Sequence, residues 1–127
     1  MAVKFLSDEW ATEVTKALNE DEGFKKAAGS QSAQLQQVVD TPEGEKKYYF
    51  KLDNGQAEVS TGELENPEAT ITQDYDTAVA LSKNELTGTA AYMSGKIKVS
   101  GDLMKIMQLQ GIFNTLPNAV SSVDVEY

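Results

Sequence analysis

Two runs of alternating residues meet at Asn54-Gly55, and this junction constrains the fold more than any other part of the sequence. Lys46 to Asp53 is rich in β-formers, with Tyr48, Phe50 and Leu52 on one face and Lys47, Tyr49 and Lys51 on the other. Asn and Gly both tolerate positive φ, as a two-residue hairpin turn of matching twist requires. Gln56 to Gly62 is then the returning strand. Upstream, Ala33, Leu35, Gln37 and Val39 alternate with polar residues, and Thr41-Pro42-Glu43-Gly44 forms a turn, which predicts a third strand before the hairpin. Ala69 to Thr72 predicts a fourth strand after the break at Asn66-Pro67.

Helical spacing frames these strands. Ser7 followed by Asp8 and Glu9 reads as an N-cap with acids in the first turn. Trp10, Val14, Ala17 and Leu18 then carry an amphipathic helix to about Asn19. Asp21 to Ser30 predicts a short second helix around Phe24, ending at Gly29. Asp74 caps a helix bearing Tyr75, Ala78, Val79 and Leu81, and Leu86 to Met93 is a further helical piece closed by Gly95. Lys96 to Ser100 is a short strand, Gly101 turns the chain, and Asp102 caps a long final helix to about Leu116, stopped by Pro117. Strands and helices are partly segregated, so the expected class is α+β, with one twisted sheet covered by helices on one face as the simplest assembly. One domain spanning residues 1–127 fits this length.

Composition removes several functions. The formal charge is -9 and all eleven basic residues are lysine, so a nucleic-acid role is disfavoured. An anionic bilayer would repel the chain unless its lysines cluster locally. Cysteine and histidine are both absent. That removes thiol nucleophiles, disulfides, the commonest metal ligand and the side chain best suited to proton transfer near neutral pH. Phosphate-loop and nucleophile-elbow motifs are missing as well. The expectation is no enzyme activity, no cofactor and no metal. The stretch from Met1 to Trp10 is mixed and charged, which gives no sign of a cleavable leader. Ile106 to Val123, the longest uncharged stretch, is too polar to span a bilayer, so a soluble cytoplasmic protein is the default expectation.

The run from Ala69 to Leu116 resembles the sterol carrier protein type 2 family of lipid-binding domains. The resemblance rests on the strand Ala69-Thr70-Ile71-Thr72 and on Asp74 with Asp76. It rests also on the run Gly95-Lys96-Ile97-Lys98-Val99-Ser100-Gly101-Asp102 leading into an apolar helix. With the upstream order of helix, strands and hairpin, it covers nearly the whole chain. The resemblance implies a single five-stranded mixed sheet covered by helices on one face, with a hydrophobic tunnel between sheet and helices, roofed by the C-terminal helix. Its implied occupants are fatty acids, acyl-CoAs, phospholipids or sterols. The peroxisomal members' terminal address is missing, since the sequence ends Val125-Glu126-Tyr127.

The final helix carries Ile106, Leu109, Phe113 and Leu116 in one stripe, widened by Leu103, Met104, Met107 and Ile112. On pattern alone this stripe is a helix on a dry core; the resemblance moves the reading to a tunnel wall. The ligand-binding residues it implies are Phe50 and Leu52 from the sheet, Ala78 and Leu81 from the helix after the fourth strand, and Ile97 from the last strand. From the final helix it implies Ile106, Leu109, Ile112, Phe113 and Leu116. Trp10, Val14 and Leu18 are looser candidates for the wall and read first as ordinary core. Gly111 reads as close packing against a neighbour, with a weak point in a moving roof as the alternative. Lys25, Lys26, Lys96, Lys98 and Lys105 read as solvated surface, with a portal for an anionic headgroup as the alternative. The expected partner is a long-chain lipid or sterol-like ligand, with at most transient membrane contact. A protein-interaction or dimerisation module, including a homodimer built on the same apolar helix, and an accessory domain of an enzyme partner are the competing readings.

Overall fold

The computed structural model describes residues 2–127; Met1, which opens the stretch read above for a leader, lies outside them. Helix α1 (Asp8–Glu20) begins at Ser7, whose hydroxyl accepts from the Trp10 amide at 3.1 Å. Helix α2 (Glu22–Ala28) begins at Asp21 and ends at Gly29, with φ of 56°. The strands β2 (Ala33–Thr41), β3 (Gly44–Asp53), β4 (Gln56–Thr61), β5 (Ala69–Asp74) and β6 (Ile97–Gly101) form one sheet in the order β4-β3-β2-β5-β6. The β2–β5 pair is parallel and the other three are antiparallel, so the sheet is mixed, as the resemblance implied. Helices α3 (Tyr75–Ser82) and α4 (Gly88–Met93) lie between β5 and β6 in sequence. Asp74 caps α3: its carboxylate accepts from the Thr77 amide at 2.8 Å, and that bond holds its pKa below the ordinary value.

Cross-strand register aligns the helix-facing side in rows. Val59, Phe50, Leu35 and Ala69 form one row, and Thr61, Tyr48, Gln37, Ile71 and Val99 the next. The opposite face holds one buried polar residue, Gln36. Its amide donates to the carbonyls of Tyr48 (2.9 Å) and Gly62 (3.0 Å), and its oxygen accepts from the Leu64 amide (2.6 Å). Gln36 thereby pins the β4–β5 connection to the sheet, and neither end of its amide is left without a partner.

The free edge of β4 is closed by side chains of α1. Asn19 accepts from the Ala57 amide (2.8 Å) and donates to the Ala57 carbonyl (2.9 Å). Thr15 does the same for Val59, at 2.8 and 3.0 Å. An exposed strand edge invites pairing with another chain, and here the helix occupies it. Gly55 in the hairpin has φ of 86° and lies so close to Gly29 that an added Cβ would sit 2.1 Å from its carbonyl oxygen. Only glycine fits there, on both counts.

The C-terminal region departs from the expected single helix. It consists of three short pieces: α5 (Leu103–Gln108), α6 (Gln110–Phe113) and α7 (Leu116–Ala119). Gly111, Asn114 and Thr115 are weak helix formers, and the Thr115 hydroxyl bonds back to the Ile112 carbonyl at 2.7 Å. Pro117 sits at the start of α7, where its missing N–H is harmless, rather than ending a helix. The close-packing reading of Gly111 is overturned: an added Cβ there would meet nothing within 4 Å. A two-residue strand at each end, β1 (Val3–Lys4) and β7 (Val125–Glu126), pairs in parallel as a separate small sheet. Neither is long enough to leave a periodic signal in the sequence.

Candidate functional site: a cavity between sheet and helices

The helices do not fill the space above the sheet. A cavity of about 860 Å³ lies there. Its floor is the inner sheet face, with Leu35, Phe50, Val59 and Ile71, and its walls come from α1, α3 and the α5–α7 region. Volumes of 300–1,000 Å³ are typical of ligand-holding cavities. Leu103, Met107 and Tyr92 line the space and are also 39%, 62% and 46% exposed, so the cavity meets the surface at this corner.

Seven of the expected residues are brought to this cavity: Phe50, Ala78, Leu81, Ile97, Ile106, Phe113 and Leu116. Leu52, Leu109 and Ile112 are not. Each belongs to the solid core, with exposures of 2%, 0% and 1%. The break after Gln108 is the reason. A continuous helix would keep Ile106, Leu109 and Phe113 on one stripe, whereas the separate α6 lies against α2 and turns Leu109 and Ile112 into the core. Leu52 sits one row closer to the hairpin, paired with Ala33 and Ala57. Trp10, Val14 and Leu18, the looser candidates, are in the core and line the cavity as well. Their period-3.6 spacing shows in the sequence that they face inward, and the standing-off of the helices is what exposes them to the void.

Aromatic rings cluster at one end of the space. Trp10 meets Tyr48 edge-on at 5.1 Å and Phe5 at 5.2 Å, and Phe5 packs against Tyr75 and Tyr127. Phe50 bridges Phe24 and Phe113, each at 6.5 Å. Burial holds the Tyr48 phenol well above its ordinary pKa, so it remains a neutral donor.

Polar residues reach the cavity where sequence reasoning did not look. Gln37 and Gln73 occupy inward positions, and the Gln73 amide donates to the Gln37 side-chain oxygen at 2.7 Å. Strict alternation placed Gln37 inward; an isolated glutamine in a strand carried no further signal. Of the lysines, only Lys83 lines the cavity among the described residues, and its ammonium lies 4.9 Å over the Tyr127 ring. Lys25 is paired with Glu22 at 3.3 Å and Lys105 with Glu68 at 3.7 Å, and neither these two nor Lys26, Lys96 and Lys98 reach the cavity wall. Among the described residues no group of three or more acids can hold a metal ion, and no helix is long and apolar enough to cross a membrane.

The same architecture occurs in solved structures. A crystal structure of sterol carrier protein 2 aligns with a TM-score of 0.75 at 22% identity, covering 94% of this chain and 98% of the other. A solution structure of palmitated sterol carrier protein 2-like 2 from Aedes aegypti aligns with a TM-score of 0.62 at 23% identity, over 89% and 95%. The fold also recurs within the sec-alkylsulfatase Pisa1 from Pseudomonas sp. (TM-score 0.57, 19% identity), covering 69% of this chain but 14% of that enzyme. Mouse stomatin-like protein 1 is 36% identical over 77 residues, 59% of this chain; the match spans only 19% of that protein's length. Residues 10–114 match the model of the SCP-2 sterol transfer family. The chain belongs to that family.

Proposed function

We propose that this protein binds a long-chain apolar molecule in the cavity beneath α5–α7 and carries it without transforming it. The observation that supports this most directly is the cavity itself, with a mainly apolar floor and walls and an opening beside Leu103 and Met107. A sixteen-carbon chain has about fifteen CH₂ and CH₃ groups, and at about 0.8 kcal/mol each their burial yields roughly 12 kcal/mol. Association and ordering oppose this by several to more than ten kcal/mol. The balance permits micromolar binding with no charged anchor. Methylene burial reads chain identity poorly, so chain-length selectivity is low. The palmitated mosquito relative supports the same class of occupant. The absence of histidine and cysteine from the sequence supports carriage over catalysis.

A second reading is favoured by the sulfatase, in which the fold is a small part of an enzyme. In it, the domain presents a lipid or alkyl substrate to a separate catalytic unit. Both readings require the cavity to take up an alkyl chain. Titration of delipidated protein with a fluorescent polyene fatty acid gives saturable binding at micromolar concentration. No saturable signal would reject both. Mass spectrometry of an organic extract of the purified protein then identifies the occupant.

A further inference from the structure

We infer that the cavity floor contains a hydrogen-bonding subsite, formed by the Gln37–Gln73 amide pair and the Tyr48 hydroxyl, that accepts the uncharged polar end of the ligand, such as a hydroxyl group. This inference rests on the carrier reading above and specifies its ligand.

The three residues are neighbours by register. Gln37 lies directly opposite Tyr48 on β3 and opposite Ile71 on β5, and Gln73 is two residues further along β5. All three line the cavity. Only one of their hydrogen-bonding options is used inside the group, the 2.7 Å bond from Gln73 to Gln37. Gln73 to Gln37 is the one side-chain hydrogen bond these three make among the described residues, so the Gln37 amide N–H₂, the Gln73 side-chain oxygen and the Tyr48 hydroxyl are left open to the cavity rather than sealed away from it. Reversing both amides leaves the same set, one N–H₂ and one carbonyl oxygen, so the conclusion does not depend on which way each amide points.

Gln36, one residue away, shows what a structural glutamine does in this sheet. It faces the other side, and both ends of its amide are bonded to backbone. No such backbone use accounts for Gln37 and Gln73. Apolar residues at these two positions would extend the floor formed by Leu35, Phe50 and Ile71 at no desolvation penalty. Water can serve the free groups while the cavity is empty. An alkyl chain that displaces the water strands them, unless the ligand itself brings a donor and an acceptor. A hydroxyl group supplies one of each. A carboxylate does not fit as well, since it only accepts and needs a counter-charge. The only cation on the cavity wall among the described residues is Lys83, which is exposed at the end of α3 over the Tyr127 ring.

The test is displacement of the fluorescent polyene fatty acid by dodecane, 1-dodecanol and dodecanoate at pH 8. In the wild type the alcohol competes about tenfold better than the hydrocarbon, the value expected for one or two net hydrogen bonds, and better than the carboxylate. In Gln37→Leu/Gln73→Leu the alcohol loses this advantage while dodecane binds as before or more tightly. Tyr48→Phe keeps the ring against Trp10 and removes only the hydroxyl; it narrows the alcohol's advantage about threefold, and it supplies the test if circular dichroism shows the double variant unfolded. Equal competition by alcohol and hydrocarbon in the wild type, an advantage that survives in the variants, or tightest binding of the carboxylate would each overturn the subsite and leave the carrier reading standing. Failure of every alkyl compound to bind would remove the carrier reading, and the subsite with it.

Discussion

Alanine at Leu109 and at Ile106 separates core from cavity wall, although one helical stripe in the sequence holds both. Leu109 is 0% exposed and packed in the main core. Truncating such a leucine costs its transfer energy plus that of the hole left behind, about 3 kcal/mol. A domain of 127 residues is stable by roughly 6–19 kcal/mol at usual per-residue values, so the variant still folds. With a urea slope of about 2 kcal/mol/M, its midpoint falls by about 1.5 M. Ile106 is only partly buried and borders the cavity. The atoms that alanine removes there already face empty space on one side, so few contacts are lost and the cost is about 1 kcal/mol or less. Ligand reverses the ranking. At a hundred times its Kd, a ligand adds about 2.7 kcal/mol to the stability of either protein that still binds normally. Leu109→Ala keeps that increment, whereas Ile106→Ala, which removes part of the wall, reduces it. Urea titrations with and without a saturating fatty acid measure both quantities. Equal losses for the two variants without ligand would show that the space beneath α5 is filled in solution, and would refute the assignment of a wall.

Two further outcomes follow from the backbone. Asn19→Ala strands the N–H and carbonyl of Ala57 at the sheet edge and costs about 2 kcal/mol. Hydrogen exchange at the Ala57 amide accelerates in this variant, and unchanged protection would mean that the helix does not close that edge. Gly111→Ala meets open space and raises stability by about 0.5–1 kcal/mol, whereas Gly55→Ala collides with the Gly29 carbonyl and lowers it. Thermal unfolding of the pair checks the signs, and a destabilised Gly111→Ala would restore the close-packing reading.

The sheet was legible because its signals are local. The turn chemistry of Asn54-Gly55, period-2 alternation in β2 and β3, and the capping residues Ser7, Asp74 and Asp102 act over a few neighbours, and each appears in the structure where the sequence placed it. Cysteine and histidine counts limited the chemistry just as directly. The terminal strands escaped notice because two residues cannot show a period.

Inward and outward sides of each strand can be read from the sequence, since alternation alone decides them. Whether an inward residue meets another side chain or a void depends on how far each helix stands from the sheet, and no local pattern encodes that distance. Leu109 and Phe113 look alike on a helical wheel; the break before α6 sends one into the core and the other to the cavity. Gln37 looks like an unremarkable strand glutamine and Gln73 lies past the strand read over Ala69 to Thr72, until parallel pairing of β2 with the longer β5 sets their amides 2.7 Å apart beneath an open space. Tertiary structure decided both points, because each depends on contacts between segments more than thirty residues apart.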